Sequence, residues 1–213
     1  MQFTRSITFY LIALNFLVFL VQIFIPIDSI HILGLVPKNA IYNGMIWQFA
    51  TFMFVHGGFT HIFFNMFALF IFGLLIEKEF GRKKFLTYYL ICGIGSALLH
   101  ILISLYFPIF TNPDNPAIAM STPLIGASGA VFGILTAYAV KYPTRIIFIN
   151  FIPMPAIGFI FIYGAIEFLT GISGVETGVA HFGHLGGMLT GIILLFLFKF
   201  KDHKRMEFVW ESI

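Results

Sequence analysis

The sequence predicts an all-α membrane protein, a six-transmembrane-helix bundle whose first outer loop is partly embedded in the membrane. Hydrophobic residues make up 59% of the 213 residues and charged residues only 10%, whereas about 25% of the residues of a soluble domain are charged. The apolar residues are gathered in long runs, and the basic residues lie mostly between those runs. A chain of this length suits one helical bundle rather than several domains.

Six segments are long or apolar enough to enter a bilayer, whose core of about 30 Å requires about 20 helical residues. They are Ile7–Ile25, Phe59–Ile76, Phe85–Phe107, Ser128–Val140, Ala156–Leu169 and Ala180–Phe198. The first, second, third and sixth approach the spanning length. The fourth is short, and the fifth is ambiguous because Pro153 and Pro155 interrupt the apolar run before it. Short or interrupted segments often lie beside a polar cavity.

The basic residues predict the orientation of the chain. Of the 12 Lys and Arg residues, all except Lys38 fall on the same side of the membrane as Arg5, which precedes the first segment. By the positive-inside rule both termini are cytoplasmic, and residues 200–213 form a cytoplasmic tail. The same bias accounts for the net charge of +3, so no nucleic-acid partner is required. The first segment has no cleavage-site pattern and is interpreted as a retained span.

The first outer connection, from Pro26 to about Gly58, is long and still apolar. Its run Met45–Val55 is too hydrophobic for a solvated loop. It is expected to lie in the outer interface as a partly embedded hairpin, with Trp47 at the level of the headgroups.

Ser128 is the first candidate for chemistry, because it opens the short fourth segment within the sequence Gly-Ala-Ser-Gly. A helix of about 13 residues is about 20 Å long, and Lys141 anchors its cytoplasmic end. Ser128 therefore lies at the floor of a recess that opens outward. Gly126 and Gly129 suit a tight turn and the close approach of another backbone, and a helix N-terminus favours a developing oxyanion. The alternative is that these glycines serve only helix packing.

His184 is the candidate base for Ser128. It opens the sixth segment and is followed by Gly187 and Gly191, a small-residue stripe that allows another helix to approach closely. The fourth helix, which has its own glycine pair, is the natural partner, and that contact brings His184 toward Ser128. His181 is one turn further out and is expected to meet water.

His61 and Asn65 lie four residues apart on the second segment, so they share one helix face. Both side chains can donate hydrogen bonds to a single point, which is what an oxyanion hole requires. His56 lies at the edge of the loop before them and is interpreted as a hydrogen-bonded structural or interfacial histidine.

A metal site is the chief alternative use of the histidines, which are His56, His61, His181 and His184. The sequence lacks a His-Glu-x-x-His motif, and Glu167 has no second carboxylate with it inside the six segments. All the aspartates lie outside the segments, which excludes a two-aspartate protease. With no acidic residue expected near the histidines, the sequence predicts a Ser–His dyad rather than a triad, and no cofactor or metal.

In these motifs the chain resembles the rhomboid family of intramembrane serine proteases, over about Trp47 to Gly191. The matching elements are His56 with His61-Ile-Phe-Phe-Asn65, then Gly126-Ala-Ser-Gly129, then Ala180-His-Phe-Gly-His-Leu-Gly-Gly187. The resemblance implies Ser128 as nucleophile, His184 as base, and His61, Asn65 and the Ser128 N–H as oxyanion donors. The family commonly has Trp-Arg in its first loop, and here Gln48 stands in place of the arginine.

The resemblance also implies a function. A single rhomboid-like domain over residues 1–213, of the compact bacterial type, would lie in the bacterial inner (plasma) membrane. It would cleave the transmembrane segments of single-span membrane proteins that reach it laterally near the second and fifth spans. The alternative is a non-catalytic rhomboid-like protein that binds membrane helices, although such relatives typically lack the serine or the histidine. A channel or transporter is disfavoured because no charged pathway crosses the segments.

Overall fold

All six predicted segments form helices in the structure, a computed structural model that describes residues 6–25, 27–112, 114–149, 152–173 and 178–198. The helices are α1 (Ile7–Phe24), α2 (Ser29–Leu33), α3 (Pro37–Tyr42), α4 (Gln48–Thr51), α5 (Phe59–Ala68), α6 (Leu74–Phe80), α7 (Arg82–Tyr106), α8 (Ser128–Lys141), α9 (Ala156–Ser173) and α10 (His181–Leu197). One π-helical stretch, Leu69–Gly73, joins α5 to α6. Short 3-10 helices lie at Phe52–Phe54, Pro108–Phe110 and Pro116–Ser121.

Within the described residues, four helices are long and apolar enough to cross a membrane. They are Ile7–Phe24, Phe59–Phe80, Arg82–Tyr106 and Ala156–Ser173. The helices α8 and α10 are apolar but shorter, at 14 and 17 residues. The fourth segment is therefore short as predicted, the ambiguous fifth is a full helix, and the sixth is shorter than expected. Together the helices give the predicted all-α membrane fold, whereas Arg5 and the tail 200–213 lie outside the described residues.

A small antiparallel hairpin departs from this helical fold. Strand β1 (Ile146–Ile149) pairs with strand β2 (Ile152–Pro155), so that Ile146 lies opposite Pro155. From its sequence, this stretch is expected only to be an apolar approach to the fifth helix. Isoleucines favour extended backbone, and the prolines in β2 cannot donate the amide hydrogen bonds of a helix interior. The helix α9 therefore begins only at Ala156.

Helix α8 lies at the centre of the bundle, and every residue from Gly129 to Ala139 is buried. Small residues let its neighbours approach closely. A methyl group at Gly187 of α10 would overlap the carbonyl oxygen of Gly129, and one at Gly191 would lie 3.2 Å from the Cα atom of Gly133. The predicted packing of the two glycine stripes is thus confirmed. It fixes the ends of α8 and α10 that carry the candidate site.

The first outer loop forms short helices, and not the hairpin that the sequence suggested. Leu35 and Leu124 exchange two backbone hydrogen bonds of 2.9 and 2.8 Å, and the Gly126 N–H donates to the Phe52 carbonyl at 3.0 Å. The loop therefore holds the chain immediately before Ser128. Its embedding in a membrane stays a prediction.

Gln48 organises this loop from inside. Its side chain is fully buried, its Nε2 donates to the His31 carbonyl at 2.8 Å, and its Oε1 accepts from the Val36 N–H at 3.1 Å. The neighbouring Trp47 donates from Nε1 to the Ile32 carbonyl at 2.9 Å. A neutral amide with one donor and one acceptor end thus bridges backbone groups within the loop at the position where an arginine is usual.

Glu77 anchors α1 to α6. Its buried carboxylate accepts four hydrogen bonds of 2.6–2.9 Å from Ser6, Ile7 and Thr8 at the start of α1. A carboxylate at a helix N-terminus satisfies unpaired N–H groups and opposes the positive end of the helix dipole. This buried glutamate therefore has a structural explanation.

Candidate active site

Ser128 is the first residue of α8 and lies in a cavity of about 940 Å³. The cavity is also lined by His61, Asn65 and His184, with walls from α5, α8, α9 and α10. The structure places four of the proposed site residues around this cavity, whereas the side of the membrane to which it opens stays a prediction. Because Ser128 begins the helix, its own N–H belongs to the first turn, where N–H groups have no partner within the helix.

Ser128 and His184 are in hydrogen-bond contact across the α8–α10 crossing. The Nε2 atom of His184 lies 2.8 Å from the Oγ atom of Ser128. The imidazole ring packs on Phe132, one turn along α8 from the serine, with 4.6 Å between ring centroids. A nucleophile and a base within hydrogen-bond reach are the central requirement of serine catalysis. Their catalytic roles stay a prediction.

A carboxylate stands behind this pair, contrary to the sequence analysis. The Oε1 atom of Glu167 lies 3.0 Å from Nδ1 of His184, and Oε2 lies 2.6 Å from Nδ1 of His181. Glu167 lies on α9 and is only 3% exposed to solvent. The expectation that no acidic residue lies near the histidines is therefore wrong. His181 is also paired with Glu167, and its side chain, which is 14% exposed, lines the cavity.

The hydrogen bonds fix the proton positions on His184. An ionised carboxylate only accepts hydrogen bonds, so the Nδ1 atom of His184 carries a proton and donates it to Glu167. In the neutral imidazole the Nε2 atom then has a free lone pair, which accepts from the Ser128 hydroxyl. This is the tautomer that a general base for Ser128 needs.

His61 presents a donor toward the turn before Ser128. Its Nδ1 accepts from the Gly57 N–H at 3.3 Å, so Nε2 carries the proton of the neutral ring. A methyl group at Gly126 would lie 2.6 Å from that Nε2 atom, and Gly126 has a φ of +108° that favours glycine. The turn predicted for Gly126 is confirmed, whereas its close neighbour is the side chain of His61 and not another backbone. At Gly129 the close neighbours are Ser96 and the Gly183 backbone.

Asn65 lies on the cavity wall one turn after His61. Its Nδ2 donates to the His61 carbonyl at 2.9 Å, within the same helix. An amide nitrogen has two hydrogens, and this bond uses one of them. The second is the hydrogen that the oxyanion interpretation requires.

The ring of His56 contacts the ring of His61 edge to face, with 5.0 Å between centroids. Its backbone exchanges two hydrogen bonds with the side chain of Gln22 on α1, at 3.0 and 3.2 Å. Burial, and then the neighbouring His61, lower the pKa of His56 to about 4, so the ring is neutral at pH 7. These contacts agree with the structural interpretation of His56.

Comparison with known proteins decides the family. Residues 43–200 match the sequence model described as the Rhomboid domain. The chain belongs to the rhomboid family. It is 30% identical over 214 residues to the Rhomboid protease AarA of Providencia stuartii, which covers 93% of this chain and 74% of that protein. It is also 29% identical to the Rhomboid protease GluP of Bacillus subtilis, over 77% of this chain and 28% of the relative. RHOMBOID-like protein 4 of Arabidopsis thaliana is 30% identical over 80% of this chain and 38% of its own length.

These relatives identify the rhomboid as an integral membrane protein of an intramembrane protease family. The contact of Glu167 with the two histidines could not be predicted from the sequence. The available signal was that Glu167 is a lone carboxylate in an apolar segment, on the helix that directly precedes the two histidines. Consecutive helices are usually neighbours in space, and a membrane carboxylate requires a partner. Among the described residues, no group of three or more His, Cys, Asp or Glu side chains is arranged so that it could hold a metal ion.

Proposed function

We propose that this rhomboid is an intramembrane serine endopeptidase that cleaves single-span membrane proteins. Ser128 is the nucleophile and His184 is the general base, and all of residues 1–213 form one domain. The observation that carries this proposal is the 2.8 Å contact between His184 Nε2 and Ser128 Oγ at the start of a buried helix, within a cavity large enough for a peptide segment.

The reaction begins when Ser128 Oγ attacks the scissile carbonyl and its proton passes to His184 Nε2. The carbonyl oxygen becomes negative and accepts hydrogen bonds from the Ser128 N–H, the His61 Nε2–H and the Asn65 amide. His184 then gives its proton to the leaving amine, and an ester to Ser128 remains. Water, deprotonated by His184, then attacks the ester carbonyl, and His184 returns the proton to Ser128 Oγ as the ester C–O bond breaks and the acid product leaves. No cofactor takes part in these steps.

The substrate is a membrane helix that must reach the cavity from the side. The cavity walls include residues of α5 and α9, which agrees with lateral access near the second and fifth predicted segments. A helix hides its carbonyl groups in its own hydrogen bonds, so the substrate must unwind locally before Ser128 can attack. Small or helix-breaking residues near the outer boundary of the substrate lower that cost.

A reconstituted assay tests the proposed function against its alternative. The protein and a single-span substrate are placed together in liposomes, and products are identified by mass spectrometry. The protease proposal requires cleavage within or beside the transmembrane segment, unaffected by EDTA. Binding of the substrate helix without cleavage would support the non-catalytic alternative. Loss of cleavage in EDTA, restored by added metal, would make the histidines metal ligands instead.

In the proposed orientation the protein lies in a bacterial inner membrane, and both termini are on its cytoplasmic side. We expect a cysteine introduced at Asp114 to react with an impermeant thiol reagent added to intact cells, in a Cys92→Ala background. A cysteine introduced at Lys83 is expected to stay unreactive. The opposite pattern of labelling would place the cavity on the cytoplasmic side.

The oxyanion proposal predicts the effect of Asn65→Ala. Loss of one such donor typically lowers kcat by about 10²–10³ in soluble serine proteases. We expect about 10–10² here, since the other two donors compensate in part, with little change in KM. Asn15→Ala is the matched control, because Asn15 also donates from Nδ2 to the carbonyl four residues earlier, at 2.8 Å, but on α1. Equal kcat values in the two variants would make the Asn65 bond purely structural.

A further inference from the structure

Glu167 holds two histidines with the two oxygens of one carboxylate. Its Oε1 accepts from His184 Nδ1 at 3.0 Å and its Oε2 accepts from His181 Nδ1 at 2.6 Å. A carboxylate that is 3% exposed is expensive to bury unless both oxygens are satisfied. These bonds join α9 to α10 at the depth of the candidate nucleophile.

We propose that Glu167 is a positioning residue for His184, and that His181 in turn positions Glu167. This inference rests on the proposed protease function. Glu167 keeps His184 in the tautomer whose Nε2 faces Ser128, and it fixes the rotation of the imidazole ring. Its negative charge also stabilises the imidazolium that forms when His184 takes the serine proton, and in a buried site that attraction is stronger than in water.

The carboxylate acts through His184 and not on the substrate. Glu167 is absent from the described residues that line the cavity, so a substrate in the cavity meets His184 first. The proton from Ser128 stays on His184 Nε2 until it passes to the leaving amine, and Glu167 remains ionised throughout. Changes at Glu167 should therefore lower kcat and leave KM nearly unchanged.

His181 binds the carboxylate oxygen of Glu167 that His184 does not use. It is the first residue of α10, one turn before His184. Its bond to Oε2 prevents the carboxylate from rotating away from His184. An effect of His181 that is transmitted through Glu167 must disappear when Glu167 cannot form the bond.

Three substitutions separate the contributions of charge and geometry. In Glu167→Gln the amide oxygen can still accept from His184 Nδ1, and the amide nitrogen can donate to His181 Nδ1 once that ring carries its proton on Nε2, so the charge is lost and the hydrogen bond to His184 is kept. We expect kcat to fall about 10–10²-fold, less than the roughly 10⁴-fold loss that follows when such an exchange imposes the wrong tautomer. Glu167→Leu removes the hydrogen bonds as well, and we expect a fall of about 10²–10³-fold. His181→Ala should lower kcat by less than Glu167→Gln, and should have no further effect in the Glu167→Leu background.

Glu77→Gln is the matched control, because Glu77 is also a buried carboxylate but bonds only the start of α1. It should lower Tm and leave the kcat of the folded protein unchanged. If Glu167 were only a structural tie between α9 and α10, its variants would behave in the same way.

The outcomes distinguish this inference from the proposed function. If wild type cleaves, Ser128→Ala does not, and Glu167→Gln matches wild type in kcat, the protease stands and the positioning role is overturned. A second measurement does not depend on activity. In protein labelled with ¹⁵N-histidine, the hydrogen-bonded Nδ1–H signals of His184 and His181 should be present in the wild type and lost in Glu167→Leu. Persistence of both signals would overturn the inference whether or not the protein cleaves.

Discussion

Ser128→Ala is expected to lower cleavage of a reconstituted membrane substrate by about 10⁴–10⁶-fold, the scale of losses on removing a serine nucleophile. The methyl side chain leaves the cavity and the packing of α8 intact, so the protein should fold and still bind substrate. Without Oγ there is no ester intermediate, and His184 has no proton to remove. The measurement is kcat in liposomes, with Tm recorded for each variant.

Ser96→Ala is the control for this substitution. Ser96 is a second buried serine beside α8, and its Oγ packs against Gly129 and makes no hydrogen bond to the described residues. Its replacement should leave kcat close to that of the wild type. The double variant Ser128→Ala with His184→Ala should be no worse than Ser128→Ala alone, because the two groups act as a unit. A Ser128→Ala protein with wild-type kcat would refute the assignment of the nucleophile.

Gly187→Val is expected to have the second largest effect, on both stability and activity. The backbone of Gly129 occupies the space that a side chain at Gly187 would need. Overpacking typically costs about 1–3 kcal/mol, and we expect about 3 kcal/mol or more here, because backbone yields less readily than side chains. The fraction of the variant that remains folded should also have a lower kcat. A misplacement of about 1 Å can cost about 10²-fold in rate, and the same crossing sets the distance from Ser128 to His184.

Leu189→Val is the control on the same helix, since Leu189 is 53% exposed on the outer face of α10. It should change Tm and kcat little. The two variants are compared by thermal unfolding in detergent and by kcat in liposomes. If Gly187→Val were as stable and active as Leu189→Val, the close α8–α10 crossing would be wrong.

The sequence predicted those parts of the fold that depend on local pattern. Apolar runs located the six helices, and the glycine spacing identified which helices cross closely. The place of Ser128 at the start of the short helix α8 followed from the short apolar run that ends at Lys141. The same reasoning could not give the contact between Glu167 and His184. That contact depends on how far α9 is rotated about its axis and on where the chain turns before α10, neither of which has a local sequence pattern.

The loop and hairpin illustrate the same limit. The apolar run around Trp47 predicted burial, but the short helices depend on bonds between Gln48 and distant backbone groups. At β2 the alternating prolines gave a local reason to doubt a helix, whereas nothing in the apolar run Ile146–Ile149 showed that it would pair with β2 as a strand. Long-range pairing of polar and backbone groups is therefore what the structure adds.

Ser128, activated by His184, is the proposed nucleophile. The most direct test is to treat the solubilised protein with a fluorophosphonate, which reacts covalently with activated serines, and to locate the adduct by mass spectrometry. We expect the adduct on Ser128 Oγ, strong suppression of labelling in His184→Ala, and unchanged labelling in Ser96→Ala. An adduct on another residue, or labelling that persists in Ser128→Ala, would contradict the account.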